Sequence, residues 1–439
     1  MSTTPQSALP DAMTDSPDDV TGGRFGSAYL YYLVFIFFMT NLLSTMDRAI
    51  LPVLVEPIRK EFGMTDSQVG SLSMAFAIFY AIFGLLLGRL TDTWSRSKLL
   101  GISIGLFSIG TMVTGYVHNF VQLFIMRTSV GVGEAGSLPA SYSLIGDSFK
   151  PQHRASAMAL IQSGLAIGST LGLILAGVLA QSLGWRNTFI AFGVPGLLLA
   201  LMILLTVKEP ARGRFERPSA AVDLQPSFAS TIKTLASNRT FSFIVFAYSV
   251  TSFGIYGLGY WIPALLIRSY QMSMRDIGLV YGSIAGSSIV VGMLIGAAVA
   301  APLLKADRRW EMWMPGIVNI LITFSYIIAF SVNSLTLTLT FIGISTFLLG
   351  FTVGPASASI QSTVPARMRG VAVAITMFIS AFIGQGLGPW GIGIVSTALA
   401  PTLAEGSLKA VLQFVPVVFL SGGILYIIGA KTFHRDRVD

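Results

Sequence analysis

Apolar runs of about 20 residues recur from Tyr29 almost to the end of the chain, separated by short charged stretches, and about twelve can be counted. Hydrocarbon offers no water to satisfy a peptide group, so a run of this length must be a helix that closes its own hydrogen bonds. The fold class is therefore all-α, a polytopic membrane protein. A transmembrane β-barrel is excluded, because it would show short segments of alternating polarity. Of 439 residues, 53% are hydrophobic and only 11% charged, with a mean hydropathy of +0.73; a soluble domain carries about twice that charge. There is no cysteine, which removes disulfides and thiol-bound metals, and no metal or organic cofactor is expected.

The net charge of +8 follows the loops rather than one nucleic-acid-binding face, so no nucleic-acid partner is expected. Residues 1–27 read as a disordered polar tail, with Asp11, Asp15, Asp18 and Asp19, and lack the basic-then-apolar layout of a cleaved signal. Residues 28–207 and 240–431 then form two halves of six spans, divided by a charged, proline-containing linker at 208–239 and followed by a short tail at 432–439. Arg89, Arg96, Lys98, Lys150, Arg154, the linker cations, Lys305, Arg308, Arg309, Arg367, Arg369 and the last cations gather on one side. The other side has fewer, so the positive-inside rule places both termini in the cytoplasm. A bacterial inner membrane is the expected location, with the bilayer as the main partner and the chain as a monomer.

Four ionisable residues interrupt the apolar runs at depth, and all lie in the first half. Asp47 and Arg48 sit in span one, ahead of Pro52, which cannot donate to the carbonyl of Arg48 and loosens the backbone there. Arg127 and Glu134 sit in span four. A charge at that depth costs at least ~2.5 kcal/mol, so these residues are expected to be paired and functional. Seven residues apart, Arg127 and Glu134 share a helix face about 10 Å apart along the axis and can line one cavity. A buried structural pair is the competing reading. In span four, Pro139 is the expected kink and Asp147 marks the inside end.

The second half has no acid or base at such depth. Its polar side chains are aromatic and amide, and Tyr248, Tyr256, Tyr260 and Trp261 are grouped with the apolar Phe253 on span seven. In span five, Gly164, Gly168, Gly172 and Gly177 form a stripe of small residues that lets a neighbouring helix approach. Sliding the chain by about 215 residues lays Phe149–Ala157 over Val364–Ala372 and the span-five glycines near Gly384, Gly388 and Gly391, an internal repeat of the kind a duplicated six-helix unit leaves. The turn Lys305-Ala306-Asp307-Arg308-Arg309 is a degraded echo of the earlier turn from Gly88 to Lys98. His118, His153 and His434 fall in loops or tails and receive no role.

That earlier turn, with Gly88, Asp92, Arg96 and Lys98 spaced as G-x-x-x-D-x-x-x-R-x-K, resembles the signature loop of the major facilitator superfamily. Thr93 and Ser95 depart from its common form. Met46-Asp47-Arg48 and Gly131-Val132-Gly133-Glu134-Ala135, with Arg127 upstream, are similar to the spinster-type transporters within that superfamily; organic anion:cation symporters have a comparable layout. The resemblance implies two pseudo-symmetric six-helix halves, alternating access, and a lysophospholipid or sphingoid substrate. It implies Asp47 and Glu134 as the protonatable pair, Arg48 and Arg127 as their partners, and protons as the coupling ion. Gly88, Asp92, Arg96, Lys98, Asp147 and Arg154 are expected to form a latch on the inside face, with solvated loop charge as the competing reading. An amphiphile would place its head at Arg48 or Arg127 and its tail along Tyr248, Phe253, Tyr256, Tyr260 and Trp261. A proton-coupled organic-anion symporter and a drug or amphiphile efflux antiporter are the alternatives. An integral membrane lipid-modifying enzyme would want a histidine, serine or metal cluster at one membrane face, and none is visible. A pure channel would not need paired titratable groups.

Overall fold

The computed structural model describes residues 26–215 and 228–438, and no strand occurs among them. The polar tail expected at residues 1–27 falls almost wholly outside the described residues, as do linker residues 216–227. Nine helical runs among the described residues are long and apolar enough to cross a membrane. The difference from the expected number of spans lies in three places. The run Pro151–Thr206 reverses at Gly184, whose φ of 75° is left-handed; before it Gly164, Gly168 and Gly172 face span one, and after it Gly193 and Gly196 face span three. The run from Arg369 to Asp436 turns at Ala404, also at positive φ. Span four is split into Phe120–Ala135 and Ser137–Ser148, each below span length. Its break falls at Gly136, three residues before the expected kink at Pro139, because a proline in the first turn of a helix displaces no hydrogen bond.

With those breaks the spans run, in order, Ser27–Phe62, Asp66–Thr93, Arg96–Thr114, the split fourth, 151–183 and 185–206, then Arg239–Tyr270, Met274–Ala306, Trp310–Ser331, Leu335–Ser362, 369–403 and 407–436. Span one continues to Phe62, through Pro52 and Pro57, because Ile50, Val53, Leu54, Val55 and Ile58 are all buried and packing outweighs the missing backbone bonds. At span two, Thr65 forms a capping box with Gln68, which leaves the Asp66 carboxylate free for another partner. The short helix Phe228–Ser237 belongs to the linker.

Packing repeats between the halves. Span one lies along five, three along six and two along four, as seven lies along eleven, nine along twelve and eight along ten. The halves meet where spans two and eleven touch and where five touches eight. Those contacts concentrate at the face opposite the linker. There Gly70 abuts the backbone of Pro389, Gly393 abuts that of Asp66 and Gly177 that of Met274 and Gly278. Toward the linker, Gly84, Gly88, Gly146, Gly354 and Gly370 face open space. The hydrogen bonds between the halves among the described residues, such as Ser67–Thr397, Ser73–Gln385 and Tyr260–Val69, also lie toward the far face, so the halves close there and part toward the linker face, leaving a cavity open on that side.

Within the first half the span-five glycines are needed for contact. A Cβ on Gly168 would stand 2.5 Å from the Leu42 carbonyl oxygen, whereas one on Gly105 would meet only the Ala200 side chain, at 3.6 Å. Gly168→Val is expected to lose about 1–3 kcal/mol by overpacking, while Gly105→Ala stays near neutral. Thermal unfolding of the two purified variants measures the difference.

Candidate functional site

The charged residues of spans one and four meet at the closed end of this cavity. Glu134, 1% exposed, accepts hydrogen bonds from the Arg48 Nε at 3.0 and 3.2 Å and from the Ser44 hydroxyl. Arg48 is the member that reaches the cavity. Its side chain is 34% exposed, and its guanidinium lies 5.3 Å from the Phe76 ring centroid and 5.0 Å from that of Tyr80. It is also within electrostatic reach of Tyr256, half-exposed on span seven of the other half.

Asp47 points away from its neighbour Arg48, because adjacent helical residues diverge by about 100°. It accepts from the Thr111 hydroxyl and stands 3.8 Å from Arg127 Nη1. Both members of that pair are buried, and Arg127 lies 5.4 Å from the Phe189 ring centroid. The reading of Arg127 and Glu134 as a pair with each other is thus corrected. Two turns of one helix separate that pair, so each finds its partner on span one, Glu134 with Arg48 and Asp47 with Arg127.

The residues expected to form the tail wall separate into two sets. Tyr248, Phe253 and Tyr256 are partly or largely exposed. Tyr260 and Trp261 are not on the open wall: the Tyr260 hydroxyl donates to the Val69 carbonyl at 3.1 Å and the fully buried Trp261 indole to that of Pro389 at 2.8 Å. Both fasten the far face. Their aromatic character was legible, but their depth, set by the closure of spans two and eleven, was not.

The same closure is held by three charges that received no role from the sequence. Arg268 of span seven donates to Glu56 of span one at 2.8 Å and to both carboxylate oxygens of Asp66 at 2.7 and 2.9 Å, with all three side chains buried. Ser396 of span eleven donates to Asp66 at 2.6 Å, and Thr397 accepts from the Ser67 amide at 2.8 Å. Glu56 lies in a proline-flanked stretch and Asp66 beside a sufficient cap. Those two facts are the signal that could have singled them out.

At the linker face Arg96 and Asp147 are bonded, as the latch reading requires of them, but the third member differs. Asp92 is exposed and bonds to nothing among the described residues. Glu209, just past span six, takes the Arg96 Nε at 2.6 Å and the amide and hydroxyl of Ser97 at 3.0 and 2.8 Å. Arg96 also donates to the Pro210 carbonyl at 2.7 Å, and the Gly213 amide to Asp147 at 3.1 Å. The first linker residues thus strap the turn between spans two and three. Gly88 faces open space, Lys98 is exposed, and Arg154 donates to the Phe149 carbonyl at 3.0 Å, so these three stand outside the network. No cluster of histidines and acids suited to a metal occurs among the described residues.

Two helical halves around a charged cavity, shut at one face and open at the other, define a membrane transporter. The chain belongs to the Major Facilitator Superfamily, whose family model matches residues 36–389. It is similar to an MFS-type efflux pump of Mycolicibacterium smegmatis, 30% identical over 437 residues that cover 99% of each chain. It is also similar to the sphingosine-1-phosphate transporter SPNS2 of Danio rerio, 27% identical over 90% of this chain and 83% of that one. Among solved structures, a bacterial homologue of the human lysosomal transporter Spinster, inward-facing and unoccupied, superposes with a TM-score of 0.86 at 24% identity, covering 94% of this chain and all of that one.

Two predictions follow from the two faces. Arg268→Gln leaves Asp66 buried without its cation, while Glu56 keeps Arg59 at 2.8 Å, and the loss costs about 3–5 kcal/mol of the closed arrangement. A cysteine at Ser73, on span two beside span eleven, should then label faster from the far face; unchanged labelling would show that the ion pairs do not hold the closure. At the strap, burial opposes the charge of Glu209, but the Ser97 amide, Arg96 and the Ser97 and Ser95 hydroxyls together hold its pKa below the usual carboxylate value. A depressed carboxylate contributes above its unfolded pKa and loses that contribution only as pH falls through the lower folded value. The strap should therefore be constant between about pH 5 and pH 8. Glu209→Gln should loosen it throughout that window and Asp92→Asn should not, read by cysteine labelling at the linker face.

Proposed function

We propose that this transporter moves a single-chain amphiphile of lysophospholipid or sphingoid type, coupled to protons, by alternating access between its halves. The observation that carries this reading is the Arg48–Glu134 pair at the head of the open cavity, with charge on the first half's wall and aromatic, uncharged side chains on the facing one. A small organic anion would want polar groups from both walls, whereas an amphiphile wants one charged end and a long apolar side. Arg48 takes the head. Glu134 competes for the same guanidinium, so a proton on Glu134 removes the competitor and frees Arg48 for an anionic group. Asp47 and Arg127, sealed behind them, hold the second protonatable site out of reach of the ligand in this conformation.

The positive-inside rule makes the linker face cytoplasmic, so both termini lie inside and the cavity opens to the cytoplasm, fitting a bacterial inner membrane. From that side an amphiphile can be collected for export. The similarity to a mycobacterial efflux pump favours export, with proton antiport as its form, over import.

Proteoliposomes carrying wild type and Glu134→Gln test the coupling and the substrate class together. Substrate-dependent proton movement should vanish in the variant while binding persists. Across a homologous lysolipid series, affinity should rise by up to about fourfold per methylene, from ~0.8 kcal/mol for each one buried. Full pH-dependent transport by Glu134→Gln would make the carboxylate structural. Flat affinity across the series, with a short dicarboxylate competing at micromolar levels, would replace the lipid reading with the organic-anion symporter.

A further inference from the structure

At the linker face of the second half, the turn between spans eight and nine and the end of span twelve enclose an open cavity of about 550 Å³, lined by Leu304, Lys305, Ala306, Asp307, Arg308 and His434. In the first half the corresponding turn is satisfied internally. The segment after span six brings a carboxylate, Glu209, onto Arg96, and Arg96 is 2% exposed. In the second half the end of span twelve brings His434 instead, which faces Asp307 at 3.5 Å. Asp307 is also held by Arg309 at 2.9 Å, so the acid that lines the cavity is already engaged on two sides. The acid near Arg308, Glu311 at 3.6 Å, is buried and accepts from the Ser362 hydroxyl at 2.5 Å. Lys305 is exposed and has no ion pair or hydrogen bond among the described residues, and Arg308 is 53% exposed. Two cations thus line this cavity, and among the described residues no carboxylate stands in the place Glu209 fills in the first half.

The surroundings identify where the missing anion comes from. Trp310 and Trp313 pack edge to face at 5.7 Å directly after the turn, and Arg309 lies 4.7 Å over the Trp313 ring. Tryptophans beside cations at a helix end mark headgroup depth in a bilayer. A free solute anion would have no reason to be read at that level, whereas a lipid phosphate lies there permanently, and basic pockets of this kind suit anionic headgroups. We propose that this cavity is a binding site for the headgroup of an anionic phospholipid, with the phosphate between Lys305 and Arg308 and His434 at its edge. The lipid then supplies the second half with the anion that Glu209 supplies to the first. The site lies outside the transport cavity and does not depend on which substrate is moved.

The test uses the full-length protein in neutral detergent, with thermal unfolding followed at low salt while phosphatidylglycerol, phosphatidylcholine or inorganic phosphate is added. Phosphatidylglycerol should raise the midpoint saturably, and the other two should not. In Lys305→Gln/His434→Gln the apparent affinity for phosphatidylglycerol should fall about tenfold, from the loss of the Lys305 charge and of the imidazole beside the phosphate. Arg308 is left in place there so that Glu311 keeps its cation; Lys305→Ala alone serves should the double variant not fold, with a smaller loss in the same direction. Equal shifts with phosphatidylcholine, or an undiminished response in the variants, would overturn the site. A shift reproduced by inorganic phosphate alone would make it a solute anion site and overturn the lipid assignment.

Discussion

The burial of charge in a low-dielectric interior is the constraint on which the rest of this molecule depends. Each buried ion costs several kcal/mol unless a partner and hydrogen bonds meet it, and here the buried charges near the cavity face opposite charges on another helix, although Asp47 Oδ2 and Arg127 Nε and Nη2 have no hydrogen-bond partner among the described residues. Glu134 of span four rests on Arg48 and Ser44 of span one, and Asp47 of span one stands opposite Arg127 of span four with Thr111 of span three beside it. Those contacts bind the first half into a unit that can move as one body. They also differ in kind. The Arg48–Glu134 pair touches the cavity, whereas Asp47 and Arg127 are enclosed.

Closure of the far face joins two interactions of unlike character. Backbone meets backbone at Gly70, Gly177 and Gly393, where any side chain would hold the halves apart. Arg268 then crosses from the second half to Glu56 and Asp66 of the first. The glycines add area without directional cost, and the ion pairs give the closed state a definite register. When the far face opens, those three charges pass into water rather than into hydrocarbon, so they are suited to a contact that must break repeatedly.

Much of this was legible in the residues, and what was not has a physical reason. The spans, the halves and the depth of Asp47, Arg48, Arg127 and Glu134 follow from apolar run length and the cost of buried charge, both local properties. Partner choice is not local. Residues 47 and 48 point to different neighbours, and which of them meets Glu134 depends on the rotation of span one against span four. Tyr260 and Trp261 read as cavity wall because aromatic character does not report depth along a helix. Glu56, Asp66 and Arg268 sit near span ends, where a charge ordinarily means water, and their burial arises only when two halves of the chain come together. Glu209 was hidden by position, at the start of a linker whose composition resembles a spacer.

The two halves repeat each other in helix packing but not in chemistry, and the divergence lies where each half meets a different environment. At mid-depth the first half concentrates its charge and the second has tyrosines and amides, so the cavity is polarised across its width. At the linker face the first half closes its signature turn with Glu209 and the start of the linker, while the second leaves Lys305 and Arg308 open beside a tryptophan pair. A half strapped by its own chain keeps its turn in one arrangement in any bilayer. A half whose turn is completed by a lipid depends on the membrane around it. In alternating access the two bodies rock against each other, and anchoring one of them at headgroup depth gives the other a fixed reference against which to move.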